Sequence, residues 1–419
     1  MKKKIILAVN AGSSSVKISV YTAQLGEAPV QIAEGSLSGL TAPPPALDYS
    51  RRGKTVTKDG DVRDKADTQR DAFDVLLKAF IEDAELPEIN TKDDIGIICH
   101  RIVHGGDFAR PQLISDATYA ALEKLNDLAP LHNANSLGIV HQCVSELSGA
   151  RNVACFDSQF HASIPEHIRT YPINQDIARS NHLRKYGFHG ISYAFITRAT
   201  AKFLGKKPDE VNIIALHLGS GASACAIKAG KSWDTSMGLT PLAGLPGATR
   251  SGSVDPSLVF HYASDVGKLS PASTKELHIS RAEEILNKES GWKALTGTTN
   301  FGAIAESDDP EKRLAFDLFV DRVCGFIGSY YVSLRGQVDA LVFAGGIGEK
   351  SDRFRGEVVD QLRCLGFPAI DEVANRARME SVVTDIGKKE KGGQHVLVCK
   401  TDEQFEMARS CAEDEDFWS

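Results

Sequence analysis

The sequence predicts an α/β protein made of two similar halves. Apolar strands alternate with helical stretches along the chain, which is the pattern of α/β architecture. In addition, IILAVNAGSSSVKISV (5–20) and IIALHLGSGASACAI (213–227) share an apolar strand, a Gly/Ser turn and a second strand. Period-two alternation after each turn indicates a strand rather than a helix. This repeat predicts a duplicated domain with a cleft between the copies, and two unrelated hairpins remain the alternative on pattern alone.

The composition and charge of the chain exclude several classes of protein. The chain has 419 residues, of which 42% are hydrophobic and 25% charged, so it can bury sizeable cores. A net charge of -7 argues against general binding to nucleic acid or to a membrane surface. The apolar run after MKKK stops at Asn10, too early for a signal peptide or a membrane span. The eight cysteines include no CxxC pair, so we expect a reduced, cytoplasmic protein without structural zinc.

The remaining elements follow from apolar runs and helical periodicity. Residues 37–67 contain APPPA and a polar, charged run, which predicts a surface excursion of hairpins and loops. Besides the two strand pairs, we predict strands at 95–99, 152–156 and 340–343, and helices at 71–82, 136–148, 192–203 and 311–335.

Two glycine-rich loops follow apolar strands. GSGASA (219–224) matches a GxGxxA dinucleotide fingerprint, but that fingerprint must open a helix, and the residues that follow predict a strand. GGIGEKS (345–351) lacks the spacing of a Walker loop. Its glycines would still allow the backbone to approach a nucleotide closely. A structural turn is the alternative for either loop.

Several polar residues stand at strand ends or between glycines. HRIVH (100–104) has no glutamate beside its first histidine, which argues against a zinc-protease helix. Arg101 follows an apolar strand and offers a planar fork for carboxylate or phosphate. Asp157 ends another strand, and His189 and Arg250 are set among glycines or small residues. Each could be an ordinary satisfied polar residue, but together they favour phosphoryl transfer, which needs cations, a metal-holding carboxylate and flexible backbone.

Longer motifs give the chain a resemblance to a known family. In order along the chain these are VNAGSSSVK, HRIVHGG, LAPLHN, FDSQFH, YGFHG, HLGSGAS, DTSMGLTPLAGL with GATRSG, AGGIGE and TDEQ. The chain resembles the acetate kinases from about residue 5 to residue 410. The resemblance implies the duplicated, ribonuclease H-like fold of acetate and sugar kinases, Hsp70 and actin, with an interdomain catalytic cleft. It divides the chain into 1–157 plus 401–419, the acyl and phosphate side, and 158–400, the nucleotide side.

The resemblance also implies roles. Arg101 and Arg250 would bind the carboxylate and phosphoryl oxygens, and His189 would hydrogen-bond the phosphoryl group in flight. Mg²⁺ would be organised, largely through water, by Asn10, Asp157 and Glu403. The acyl methyl group would lie in a small apolar pocket formed by Val103, Leu131 and Pro241. The nucleotide and its phosphates would be bound by Asn10, Ser13, Ser15, Lys17, His217, Gly219, Ser220, Gly221, Gly346, Ile347 and Gly348, with His132 and His217 in support.

The implied reaction is reversible, direct in-line phosphoryl transfer between ATP and acetate, giving ADP and acetyl phosphate. The resemblance further implies a homodimer formed through the second domain, with the helix over 314–334 as a candidate interface. Acetate, acetyl phosphate, ATP and ADP are the expected small-molecule partners.

The chain departs from the family pattern at several positions. Ser220 stands where the family has asparagine, HNAN (132–135) is a shortened HNPAN, and TTNFG (298–302) replaces SSDFR or SSDMR beside the adenine. Asn300 and Gly302 therefore leave pyrophosphate or phosphate open as the alternative to the nucleotide. Separately, a related acyl kinase that prefers propionate remains an alternative to an acetate kinase. Two other classes remain: an actin- or Hsp70-like ATPase, which has no use for Arg101, and a nicotinamide dehydrogenase, which rests only on GSGASA.

Overall fold

A computed structural model describes residues 3–12, 14–40, 44–62, 66–125, 130–262, 268–271, 273, 279–389 and 393–418, without the side chains of 130–135 and 262. Ser13 therefore lies outside the described residues, as do the side chains of Leu131 and His132. The chain divides into two compact units, Met1–Gln159 with Asp402–Ser419, and Phe160–Thr401.

The first unit is built on an eight-stranded mixed sheet. Its strands are β1 (Lys4–Ala11), β2 (Ser15–Ala23), β3 (Val30–Ser38), β4 (Ala46–Arg51), β5 (Lys54–Asp61), β6 (Ile95–Ile102), β7 (Gln112–Leu113) and β8 (Arg151–Phe156). They lie side by side in the order β5-β4-β3-β2-β1-β6-β8-β7. β1 pairs antiparallel with β2 and parallel with β6, which is parallel to β8. The carboxyl ends of β1, β6 and β8 therefore meet at one edge of the sheet.

Helices cover this sheet. They are α1 (Gln69–Ile81), α2 (Asp116–Lys124) and α3 (Pro130–Glu146), joined by the last helix of the chain, α15 (Glu403–Glu413). Asp402 caps α15, since its side chain accepts a hydrogen bond of 2.9 Å from the backbone N–H of Phe405. This cap fixes the start of the helix and places Glu403 in its first turn.

The second unit has a six-stranded sheet in the order β11-β10-β9-β12-β14-β13. Its strands are β9 (Ile213–Leu218), β10 (Ala222–Lys228), β11 (Lys231–Thr235), β12 (Ala340–Ala344), β13 (Val383–Asp385) and β14 (His395–Cys399). Its helices are α4 (Glu166–Arg169), α5 (Gln175–Ser180), α6 (Gly190–Phe203), α7 (Leu258–Tyr262), α8 (Arg281–Lys288), α9 (Gly291–Thr296), α10 (Phe301–Ala305), α11 (Pro310–Ser333), α12 (Gly345–Lys350), α13 (Asp352–Gln361) and α14 (Glu372–Arg376).

The two sheets share one core topology. β3-β2-β1-β6-β8 in the first unit corresponds to β11-β10-β9-β12-β14 in the second, with three antiparallel strands followed by two parallel ones. The two sequence repeats are the strand pairs β1–β2 and β9–β10. The duplicated α/β fold is therefore confirmed, and the alternative of two unrelated hairpins is wrong.

Three segments with glycine-rich or polar sequence can be compared with expectation. Within the segment predicted to hold hairpins and loops, β4 and β5 form an antiparallel hairpin, and β4 pairs with β3 so that the hairpin extends the first sheet. The glycine-rich segment after β12 forms the short helix α12 rather than a loop. The turn at 219–221 leads into β10, a strand, as predicted.

Two global expectations concern membranes and disulfides. Among the described helices, none combines the length and apolarity that a bilayer crossing demands. All eight cysteines are free thiols.

Candidate active site

Four of the predicted polar residues meet in the first unit. Asn10 lies near the end of β1, Arg101 near the end of β6, and Asp157 directly after β8. A backbone hydrogen bond of 3.0 Å from the Asp157 N–H to the Ile102 carbonyl holds the strand ends together. Glu403 joins them from the first turn of α15. Parallel strands with adjacent carboxyl ends thus bring together side chains that are far apart in sequence.

Arg101 is the centre of this cluster. Its Nε and Nη2 donate to the two carboxylate oxygens of Asp157 at 3.1 and 2.6 Å, a bidentate pair. Its Nη1 donates to Asn10 Oδ1 at 3.2 Å and lies 3.8 Å from Glu403 Oε2. Asn10 Nδ2 in turn donates to Glu403 Oε2 at 3.3 Å. The fork predicted from sequence is therefore held in one orientation by three neighbours.

Charge in the cluster is unbalanced. The side chain of Asp157 is 1% exposed and that of Arg101 is 20% exposed. Burial opposes the guanidinium charge, but the carboxylates of Asp157 and Glu403 outweigh it, so the pKa of Arg101 is raised. One cation faces two carboxylates, which leaves the cluster suited to a further cation.

The donor set fits Mg²⁺. Two carboxylates and an amide oxygen are the hard oxygen donors that Mg²⁺ prefers, and Mg²⁺ usually keeps several waters and substrate phosphates as its other ligands. Within the described ranges, no group of three or more His, Cys, Asp or Glu side chains could hold a metal ion. The protein would thus supply part of the coordination shell only, through Asn10, Asp157 and Glu403.

The glycine-rich turn after β1 is tight, and its lysine is paired. The Gly12 N–H donates to the Ser15 carbonyl at 2.8 Å, which closes the turn. Lys17 forms a half-exposed ion pair with Glu34 at 3.1 Å, so it is held by a carboxylate of β3.

Val103 is half-buried and lies one residue past the end of β6. The strand therefore ends between Arg101 and Val103.

The second unit assembles a cluster of histidines. His189 begins α6 with a left-handed backbone, at φ 60°, a conformation that costs a non-glycine residue about 1–3 kcal/mol. Its Nδ1 lies 2.8 Å from Ser223 Oγ on β10. The ring stacks on His217 of β9 with 4.2 Å between centroids, and His217 Nδ1 lies 2.8 Å from Ser192 Oγ. Each imidazole is thus held in place by a hydrogen bond to a serine hydroxyl.

Gly221 lets two cationic or donor groups approach the turn between β9 and β10. A Cβ at this position would lie 3.2 Å from Arg250 Nη1 and 3.7 Å from His189 Nε2. The loop that carries Arg250 is fixed to the same turn, because the Ala248 N–H donates to the Ser220 carbonyl at 2.8 Å. Arg250, His189 and the glycine-rich turn therefore lie together, and Ser220 contributes its backbone.

The second glycine-rich segment lies beside this turn. Gly345 has φ 75°, and a Cβ there would lie 2.7 Å from the Leu218 carbonyl oxygen, so only glycine is accommodated. Gly346 is exposed, with open space at its Cβ position, whereas Ile347 is buried. The Gly348 carbonyl accepts a hydrogen bond of 2.9 Å from Arg355 of α13.

In the segment that replaces the family's adenine motif, Asn300 and Thr299 form hydrogen bonds within the fold. Asn300 Oδ1 caps α10 by accepting from the Ala303 N–H at 3.3 Å. Trp292 donates its indole N–H to the Thr299 carbonyl at 3.2 Å. Gly302 is exposed on the first turn of the helix.

Pro241, assigned to the acyl pocket by resemblance, is buried in the second unit.

Sequence reasoning missed the residues that hold the site. Ser223, Tyr193 and Ser192 anchor the two histidines, and Arg355 anchors α12. Glu349 is another: burial raises its pKa, and it accepts from the Thr401 N–H at 3.4 Å. In the sequence, the four-residue spacing of His189 and Tyr193 was the one signal that could have indicated a partner of His189, because this spacing places both residues on one face of a helix.

The duplicated sheet topology, with polar residues at strand ends and glycine-rich turns, defines the actin-like class to which acetate and sugar kinases belong. The sequence pattern of the acetokinase family matches residues 5–409. The chain belongs to the acetokinase family.

Individual relatives agree. A probable acetate kinase of Neurospora crassa is 69% identical, over 99% of this chain and 95% of its own length. The crystal structure of Porphyromonas gingivalis acetate kinase is 30% identical with a TM-score of 0.78, covering 97% of this chain and 98% of its own. A propionate kinase from Francisella tularensis is 31% identical with a TM-score of 0.81 and the same coverage.

Proposed function

We propose that this protein is an acetate kinase, which transfers a phosphoryl group reversibly between ATP and acetate. Membership of the acetokinase family over nearly the whole chain carries the proposal. The geometry adds a guanidinium fork in the first unit and the His189–Arg250 pair in the second, which are the donors that phosphoryl transfer needs.

Each group has a defined chemical task in this proposal. Arg101 binds the acetate carboxylate and Arg250 the phosphoryl oxygens, while His189 donates a hydrogen bond to the phosphoryl group. The carboxylate oxygen attacks phosphorus in line, so that no covalent enzyme intermediate is formed. Gly219, Gly221, Gly346 and Gly348 allow the backbone to approach the nucleotide phosphates and the adenosine. Mg²⁺, when held by Asn10, Asp157 and Glu403, would supply charge neutralisation on the phosphates.

The direct test is acetyl phosphate formation, trapped as the hydroxamate, with acetate, Mg²⁺ and either ATP, GTP or pyrophosphate. We expect product with acetate and ATP and none without Mg²⁺. Acetate-independent ATP hydrolysis alone would instead favour an actin- or Hsp70-like ATPase. Product with pyrophosphate but not ATP would assign the donor to the alternative that Asn300 and Gly302 leave open.

Propionate is the second candidate acceptor. The observation that favours it is the structural similarity to a propionate kinase, with a TM-score of 0.81. The ratio of kcat/KM for acetate to that for propionate decides between them, and we expect acetate to be preferred.

We further propose a cytoplasmic homodimer formed through the second unit. The eight free thiols suit a reducing compartment. Leu314 and Val332 on α11 are 59% and 74% exposed, which leaves apolar surface for a second copy to cover.

A further inference from the structure

His161, the histidine that ends the FDSQFH motif (156–161), has no task in the chemistry proposed above. It is buried, with 2% of its surface exposed, and its two ring nitrogens contact two different parts of the second unit. Nδ1 lies 2.7 Å from Ser232 Oγ on β11, and Nε2 lies 2.9 Å from the Phe188 carbonyl oxygen. The imidazole therefore bridges β11 and the residue that directly precedes His189.

The positions of the protons on this ring follow from its two contacts. A backbone carbonyl can only accept a hydrogen bond, so Nε2 must carry the proton that joins it to Phe188. Burial lowers the pKa of His161 to about 4, so the ring carries a single ring proton near pH 7. Nδ1 then presents a lone pair, to which the Ser232 hydroxyl donates. The Phe188 carbonyl is thus paired with a fixed N–H group.

This carbonyl belongs to a turn with left-handed backbone. Gly187 has φ 81° and His189 has φ 60°. Glycine adopts this region readily, whereas a histidine does not, because its Cβ crowds the backbone. The His161 ring also packs against the turn, since a Cβ at Gly187 would lie 2.8 Å from the Cγ and Cδ2 atoms of that ring. The turn and the imidazole therefore fit each other closely.

The bond to Phe188 acts directly on the backbone of His189. The peptide group that joins these two residues is planar, so rotating it changes the φ angle of His189. A hydrogen bond at its carbonyl oxygen opposes that rotation. Without the bond, the peptide group can rotate and relieve the strained left-handed conformation of His189. The His189 ring would then lose its alignment with Ser223, which lies 2.8 Å from its Nδ1.

We propose that His161 is a positioning residue, which holds His189 in its left-handed conformation through the Phe188 carbonyl. This conformation brings His189 Nε2 to the glycine-rich turn at Gly221, where Arg250 also lies. The consequence for catalysis rests on the proposed function, in which His189 donates to the phosphoryl group. In this role His161 acts through the backbone and need not touch the substrate.

Two amide substitutions separate the two ends of the imidazole. In His161→Gln the amide nitrogen can replace Nε2 and donate to the Phe188 carbonyl, whereas the shorter amide of His161→Asn can replace only Nδ1. We expect kcat for acetyl phosphate formation to stay within about threefold in His161→Gln and to fall about 10²-fold in His161→Asn, as when a catalytic group is misplaced by about 1 Å. KM for ATP should change by less than about twofold, because the lost contact acts in the transition state.

Ser232→Ala is the control for a general disturbance around the imidazole. It removes the partner of Nδ1 but leaves the bond from Nε2 to Phe188, so kcat should stay close to that of the unaltered protein. A loss in Ser232→Ala or His161→Gln as large as that in His161→Asn would show that packing supports the site rather than this bond, and would overturn the proposal. Normal turnover in His161→Asn, shown to be folded by thermal unfolding, would overturn it as well.

Crystal structures of the two variants test the positioning without reference to any reaction. We expect φ of His189 to remain near 60° in His161→Gln and to leave the left-handed region in His161→Asn. A left-handed His189 in His161→Asn would overturn the proposal even if acetate kinase activity is present. Absence of that activity in the unaltered protein, together with the expected structures, would remove the proposed function and leave the positioning role standing.

A measurement on the unaltered protein covers the case in which His161→Asn does not fold. Long-range ¹H–¹⁵N correlation of protein labelled with [¹⁵N]histidine reports which ring nitrogen carries the proton, and His161→Gln identifies the signal of His161. We expect a protonated Nε2 and an unprotonated Nδ1 at pH 7. A neutral ring with its proton on Nδ1 has no donor for the Phe188 carbonyl, so that result would overturn the proposal.

Discussion

At the scale of single residues, Arg101 is the strongest test of the proposed chemistry. Arg101→Ala should lower kcat at least about 10²-fold, because a charged donor is lost from the reacting group. The thermal midpoint should fall as well, since the buried carboxylate of Asp157 loses its bidentate partner. Steady-state kinetics and thermal unfolding measure the two effects.

Arg101→Lys is the control for charge. It keeps the cation but not the planar fork, so it should restore stability more than activity. Arg250→Ala should lose a similar factor in kcat. Near-normal turnover in folded Arg101→Ala or Arg250→Ala would remove that arginine from the mechanism.

Val103 tests what limits substrate size. Val103→Ala should shift kcat/KM towards propionate and butyrate, since each accommodated methylene is worth about 0.8 kcal/mol. Val153→Ala is the matched control: it makes the same change in the buried interior of β8 and should affect stability alone. An unchanged acetate-to-propionate ratio in folded Val103→Ala would refute a role in the acyl pocket.

The polar residues at strand ends could be predicted because each follows an apolar run that ends on it. Their hydrogen-bond partners could not. Ser223 is one serine among many in the sequence, and only the pairing of β9 with β10 places it beneath His189. The ion pair of Lys17 with Glu34 could not be predicted from the sequence for the same reason, because it depends on the register between β2 and β3.

At the scale of elements, Arg355 connects α13 to both α12 and α14. It is 3% exposed and donates to the Gly348 carbonyl, the Asn375 carbonyl and Asn375 Oδ1 at 2.9, 2.6 and 2.7 Å. Burial lowers its pKa to about 10, because the nearby carboxylate of Asp352 only partly compensates. The guanidinium thus fixes the glycine-rich helix α12 through backbone oxygens.

Arg355→Met should therefore raise KM for the nucleotide severalfold and lower the thermal midpoint, since it leaves three buried acceptors unpaired, at about 1–3 kcal/mol each. Arg363→Met, the same change at an exposed position shortly after α13, should alter neither quantity. A nucleotide KM that stays constant in a folded Arg355→Met protein would contradict the link to α12.

Most element positions could be read from periodicity. The long helix predicted at 311–335 is α11 at Pro310–Ser333, and the strand predicted at 340–343 is β12 at Ala340–Ala344. The prediction for 345–350 was wrong because its glycines disfavour helix, whereas hydrogen bonds from outside the segment, such as that of Arg355, stabilise one.

At the scale of the whole molecule, two buried histidines should weaken the fold as the pH falls. Burial lowers the pKa of His100 in the first unit and of His161 in the second to about 4. The unfolded chain binds protons at these residues below about pH 6.5, whereas the folded protein does not. The contribution of these two histidines to stability is therefore fully present above about pH 6.5 and is lost progressively as the pH falls towards 4.

Thermal midpoints measured from pH 7 to pH 4 test this expectation. His100→Gln should make the decline shallower, because one proton fewer is taken up on unfolding. His141→Gln makes the same change at an exposed position and controls for the substitution itself. A decline of equal slope in His100→Gln would exclude His100 as a cause.

Association is the other property of the whole molecule. Leu314 and Val332 lie about five turns apart on the same face of α11. Val332→Glu should shift the mass measured by light scattering from dimer to monomer. Val373→Glu, at a position 82% exposed outside α11, is the matched control and should leave the mass unchanged. A dimeric Val332→Glu protein would place the interface elsewhere.

The return of the chain to the first unit at Asp402 has a consequence during synthesis. Asn10 and Glu403 are hydrogen-bonded although 393 positions separate them. On the ribosome, Arg101 and Asp157 emerge early, and the whole second unit is translated before Glu403 arrives. The second unit can fold as it emerges, since domains generally fold as units during translation. A nascent chain thus carries an unfinished carboxylate cluster until α15 docks on the first unit.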